Sequence, residues 1–185
     1  ESAVNELHNK RRSEAIRRGV EGIIRHARLR QPGMDIVSLY FSDPSFVQQV
    51  EAGTVPPQIQ LIDGINRHYG IPAVDLNKRL ALAYRRKELA PARYAPDGVH
   101  PSPEGHAFCG AQIDRLLDQV WQSPAHDPGP PTPLPKALDP ACFDRGSFAD
   151  LGQAQCGAGW ALVPRCDLAG AGTRPDTLAN IALQS

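Results

Sequence analysis

The sequence predicts an α/β fold of the doubly wound kind, and three observations carry that expectation. Short apolar, β-rich runs alternate with longer segments whose apolar residues recur at helical spacing. The run Ile36-Val37-Ser38-Leu39-Tyr40-Phe41 is apolar on both faces, which suits a parallel sheet covered by helices. Helix-stop signals, Pro32-Gly33 and Gly70, fall directly before two such runs. Strand and helix alternating at these distances give a layered sandwich, not a bundle of helices.

Each element has its own signal. Ser2-Ala3-Val4 reads as the tail of a strand ending at Asn5. Ser13 is expected to cap a helix in which Ile16, Val20, Ile23, Ile24 and Ala27 form one apolar stripe. The opposite face carries Arg17, Arg18, Arg25 and Arg28 among Glu14 and Glu21. Glu14–Arg18 and Glu21–Arg25 stand at i,i+4, so this face is expected to be solvated and ion-paired rather than a basic binding patch. A helix from about Pro57 to Tyr69 buries Ile59, Ile62 and Ile65. The next strand runs over Ile71–Leu76, with Pro72 at its start or edge. Asn77 caps a helix reaching roughly Leu89. After a loop containing Asp97 and His100, Ser102-Pro103 opens a last helix with Phe108, Ala111, Ile113, Leu116, Leu117 and Val120 on its apolar side.

The composition breaks after Trp121. Seven prolines fall between Pro124 and Pro140, which no helix or central strand tolerates, so 123–140 is expected to be a semi-rigid linker. The α/β domain then occupies 1–122. Residues 141–185, Gly-rich with short apolar pieces such as Trp160-Ala161-Leu162-Val163, read as the start of a β-rich module. An opening without Met and a close on Ile181-Ala182-Leu183-Gln184-Ser185, which reads as mid-strand, suggest a piece of a longer polypeptide.

Charge excludes several functions. The 185 residues carry 20 Lys+Arg and 20 Asp+Glu, a formal net charge of zero, and aromatic residues for base stacking are not clustered. A nucleic-acid partner is therefore disfavoured. No apolar run approaches the roughly 18–20 residues of a membrane span. The four cysteines contain no Cys-x-x-Cys pair, so no zinc site is expected, and no cofactor motif is present. Cys109 is expected as a buried small hydrophobe. The three cysteines of the tail leave room for one disulfide and lean towards an oxidising, extracytoplasmic compartment.

In an open parallel sheet, ligands bind beyond the C-terminal strand ends. Asn5 and the loop Tyr94-Ala95-Pro96-Asp97-Gly98-Val99-His100-Pro101-Ser102 are both placed there. A carboxylate three residues before a histidine, in a Gly/Pro-constrained loop, can fold back onto the imidazole. It then fixes the tautomer and leaves the far nitrogen free as a general base. An Asn amide at a strand end can donate to a developing oxyanion. Ser42, after the second strand, is a distant candidate nucleophile, since no strained elbow surrounds it; His106 is expected to be structural.

Asp97-Gly98-Val99-His100-Pro101-Ser102 with Gly105-His106 resembles the last block of SGNH/GDSL-type hydrolases. Ala3-Val4-Asn5-Glu6 resembles their Gly-x-Asn-Asp block, with Ala for Gly and Glu for Asp. The resemblance spans roughly residues 1–122. It implies a flavodoxin-like three-layer α/β/α sandwich and a serine ester hydrolase, acting on an acylated carbohydrate or another small ester. By position it makes His100 the base, Asp97 its partner and Asn5 an oxyanion donor. The family's nucleophilic Ser comes from earlier blocks, and the sequence has neither Gly-Asp-Ser nor a Gly-x-Ser-x-Gly elbow. The competing reading is a non-catalytic carbohydrate-binding or adhesion protein on a hydrolase-like scaffold.

Overall fold

The computed structural model describes residues 3–123, 133–147, 157–158, 161–164 and 181–184. The chain divides into two compact units, Glu1–Gly146 and Ser147–Ser185. The first contains α1 (Ala3–His8), α2 (Ser13–Arg30), β1 (Ser38–Tyr40), α3 (Pro44–Glu51), α4 (Pro57–His68), β2 (Ala73–Asp75), α5 (Leu76–Arg85), α6 (Pro91–Tyr94) and α7 (Pro103–Gln122). In the second, β3 (Ala161–Pro164) pairs antiparallel with β4 (Ile181–Gln184), Ala161 opposite Gln184.

β1 and β2 pair in parallel, with Ser38 opposite Ala73, Leu39 opposite Val74 and Tyr40 opposite Asp75. Helices cover both faces. Leu39 and Val74 face a cluster with Leu80, Ala83 and Cys109 from α5 and α7. Tyr40, pointing the other way as alternate strand residues must, faces Ala3, Ile16, Phe46 and Ile59 from α1 to α4. A small parallel sheet clothed by helices is an α/β arrangement. The described residues contain only these two strands of it.

Several expectations are corrected. The strand tail expected at Ser2–Val4 is helical from Ala3, because Ala3, Val4 and Leu7, at i, i+1 and i+4, put one helical face onto Phe46 and Ile59. Ser13 is the first residue of α2 and makes no cap; the N-cap position is Arg12. Asn77 is not a cap either. Asp75 accepts from the Asn77 and Lys78 amides, while buried Asn77 sends Nδ2 to the Phe41 carbonyl at 3.2 Å. Helix α6 occupies a stretch expected as loop, and α3 one to which the sequence assigns no element, although Asp43-Pro44 there is an N-cap followed by Pro at N1. On α7 the buried line is Gly105, Cys109 and Gln112, with Val120 left exposed.

The second face of α2 departs most from expectation. Glu14 does pair with Arg18, but Glu21 is fully buried and does not meet Arg25. Residues 133–146 lie against this face. Glu21 accepts from the Leu138 and Asp139 amides and the Tyr69 hydroxyl. Arg25 Nε donates to Asp144 at 3.0 Å, and its Nη1 donates to the Pro135 carbonyl at 2.7 Å. Thus part of the expected linker, and the first residues expected in the module, belong to the first compact unit. Residues 124–132 of that linker lie outside the described residues. Ile23, expected in the apolar stripe, is 73% exposed.

At Gly22 the fit between α2 and this segment leaves no room for a side chain. A Cβ there would stand 2.7 Å from the Phe143 carbonyl carbon. Gly22→Ala is therefore expected to lift residues 134–146 off α2 at a cost of about 1–3 kcal/mol. Faster tryptic cleavage after Lys136 and Arg145, with a lower melting temperature, is the expected result; unchanged cleavage would contradict the packing.

Candidate active site

The loop between α6 and α7 is built around the Asp97 carboxylate. Gly98, at φ +84°, turns the chain in the left-handed region that a side chain resists. That turn brings two amides onto Asp97 Oδ1, Val99 N at 2.9 Å and His100 N at 2.7 Å. The loop then closes: Ser102 N donates to the Tyr94 carbonyl at 2.8 Å, and Ser102 Oγ caps α7 by accepting from Gly105 N.

The other carboxylate oxygen, Asp97 Oδ2, accepts from His100 Nδ1 at 2.7 Å. The His100 bond first, and the Val99 and His100 amides next, hold the Asp97 carboxyl well below the usual carboxylate range. An ionised carboxylate only accepts, so Nδ1 carries a proton, and in the neutral ring Nε2 then keeps its lone pair. The His100 side chain is 83% exposed, and Nε2 meets no hydrogen-bond partner among the described residues.

A cavity of about 410 Å³ adjoins this loop, lined by Ser42, Val47, Tyr84, Tyr94, Pro96 and Gly98 among others. Its size suits a small ligand, and it lies where β1 ends. Its lining is mostly apolar. Burial and the neighbouring Glu51 push the Tyr84 hydroxyl up to about 12, so it remains a neutral hydrogen-bonding group.

The predicted site residues are distributed as follows. Asp97 and His100 are in direct contact. Asn5 stands exposed on α1, and α1 and the loop share one packing cluster, since Val99 packs against the group containing Ala3 and Val4. Ser42 is buried at the end of β1 and makes no hydrogen bond to His100. His106 lies exposed on α7, away from the carboxylate bonds.

Sequence reasoning missed a second histidine–carboxylate pair. His8 Nε2 meets Asp43 Oδ2 at 3.0 Å, across 35 positions, and Asp43 is 5% exposed. Oδ1 of the same carboxylate accepts from Ser45 N at 2.8 Å and from Ser45 Oγ. Burial alone would raise the Asp43 carboxyl, but the Ser45 and His8 bonds outweigh it and leave the group below its ordinary value. Only the Asp-Pro helix start signalled Asp43 in the sequence; nothing local signalled its partner.

No protein-family model and no curated protein matches the chain. Two solved structures do. One is a two-domain esterase (CEX) active on acetylated mannans, at TM-score 0.57 and 18% identity, covering 78% of this chain and 36% of that one. The other is a two-domain esterase of the same description co-crystallised with mannopentaose, at TM-score 0.53 and 20% identity, covering 68% and 30%. The chain thus spans about a third of the length of these structures and shares the fold of that part of them. No helix among the described residues is long and apolar enough to cross a membrane.

The depressed Asp43 carboxyl has a consequence for acid stability. A carboxylate whose folded value lies below its unfolded one, about 3.9, stabilises the fold above that pH and loses the contribution as pH falls through the folded value. The melting-temperature advantage of the parent over Asp43→Asn is expected to be full at about pH 5 and to shrink as the pH falls below the unfolded value. An advantage that grows on acidification would contradict the bonding.

Proposed function

We propose that this chain carries the base-bearing part of an SGNH/GDSL-type serine ester hydrolase, acting on an acylated carbohydrate. The observation that supports it most is the 2.7 Å contact between His100 Nδ1 and ionised Asp97, with Nε2 meeting no partner among the described residues. The esterases that share the fold support the same class of reaction, and their mannan substrates favour a polysaccharide ester here.

In this reading a serine from a segment preceding Glu1 attacks the ester carbonyl while His100 Nε2 takes its proton. Asp97 stabilises the imidazolium and keeps its tautomer. The Asn5 amide donates to the oxyanion of the tetrahedral intermediate. Collapse expels the sugar hydroxyl, which receives the proton from His100, and leaves an acyl-enzyme. Water, activated by the same nitrogen, then releases the carboxylic acid and restores the serine. The cavity beside Gly98 gives the substrate its place against the loop.

The test uses the full-length protein, a serine-directed phosphonate probe and a short-chain acyl ester. His100→Ala is expected to cut both labelling and kcat/KM by about a thousandfold or more, and Asp97→Asn by at least about a hundredfold with the fold intact. The 185-residue chain alone is expected to remain unlabelled. Labelling of that chain at a rate comparable with the full-length protein would bring back Ser42 as nucleophile. Parental turnover in His100→Ala would remove the hydrolase reading.

A further inference from the structure

We propose that His8 is a positioning residue for Asn5, acting through its bond to buried Asp43. The inference rests on the reading of Asn5 as an oxyanion donor and goes beyond it, by saying what holds that donor in place.

Helix α1 has six residues, far too few to be stable alone. Its apolar anchorage is Ala3 and Val4, set among Ile16, Phe46, Ile59 and Ile62. Apolar burial selects the inward face of the helix but, being non-directional, does not fix its exact placement. Direction comes from a hydrogen bond, and among the described residues His8 makes the one side-chain hydrogen bond from α1 to another helix's cap. His8 lies three residues after Asn5, which places both on one face of α1.

The acceptor is itself rigid. Asp43 is the N-cap of α3, and its Oδ1 is taken by Ser45 N and Ser45 Oγ. Oδ2 is thereby aimed at a single position, where His8 Nε2 sits. Asp43 also follows Ser42, which lines the cavity beside the Asp97 loop, so the bond ties α1 to the edge where the reacting carbonyl must lie. An oxyanion donor tolerates little displacement: a shift of about 1 Å can cost on the order of a hundredfold in rate.

The experiment is a double-mutant cycle in the full-length enzyme, with His8→Ala, His8→Gln, Asn5→Ala and His8→Ala/Asn5→Ala assayed on a short-chain acyl ester. Asn5→Ala is expected to lower kcat by about a hundredfold or more, as for other oxyanion donors. His8→Ala is expected to lower kcat about tenfold with KM changed less than about twofold, and His8→Gln, whose amide can still donate to Asp43, to recover most of it. In the Asn5→Ala background the same His8 substitution is expected to change kcat by less than about twofold, because the group it positions is gone. An equal loss from His8→Ala in both backgrounds overturns the proposal, as does parental kcat in His8→Ala. Parental kcat in Asn5→Ala overturns the route through Asn5, whereas parental kcat in His100→Ala overturns the hydrolase reading beneath it.

Discussion

The Asp97 carboxylate is the constraint on which the candidate site depends. It takes two amides on one oxygen and the His100 ring on the other, so the backbone turn and the imidazole orientation are set by one group. The left-handed turn at Gly98 makes that possible, and the Ser102 amide and hydroxyl close the loop onto α6 and α7. Each of these bonds is between near neighbours in sequence. The dyad is therefore a property of the loop, and the rest of the fold has only to deliver that loop to the right edge.

Delivery is the work of polar side chains at the end of β1. Buried Asn77 binds the Phe41 carbonyl and ties α5 to the chain just past the end of β1. Asp75 caps α5 and Asp43 caps α3, so both helices start at the same edge as the loop. Tyr40, one residue earlier, is held by Asn66 of α4 at 2.9 Å. Apolar clusters on either face supply the adhesion, but these bonds fix direction, as an active site requires.

Legibility in the sequence followed distance along the chain. The alternation of elements was readable, as were α4 with Ile59, Ile62 and Ile65 buried, the Ser102 cap of α7 and the burial of Cys109, because each rests on neighbours within a turn or two. The Asp97–His100 contact was readable for the same reason. Helix α1 was not: two apolar residues do not distinguish a strand from a helix until the packing partner is known. Glu21 was misread as a solvated i,i+4 partner because its true donors, Leu138 and Asp139, lie more than a hundred residues away. The His8–Asp43 pair was invisible for a similar reason.

The central claim is that His100 is held by an ionised Asp97 with Nε2 as the free base. Long-range ¹H–¹⁵N NMR of the imidazole rings in the 185-residue chain tests it most directly, since it reads the tautomer of His100 at a pH where the ring is neutral. The structure requires the proton on Nδ1 and an unprotonated Nε2, and Asp97→Asn should then abolish that preference. A His100 ring protonated on Nε2, unchanged by Asp97→Asn, would contradict the account.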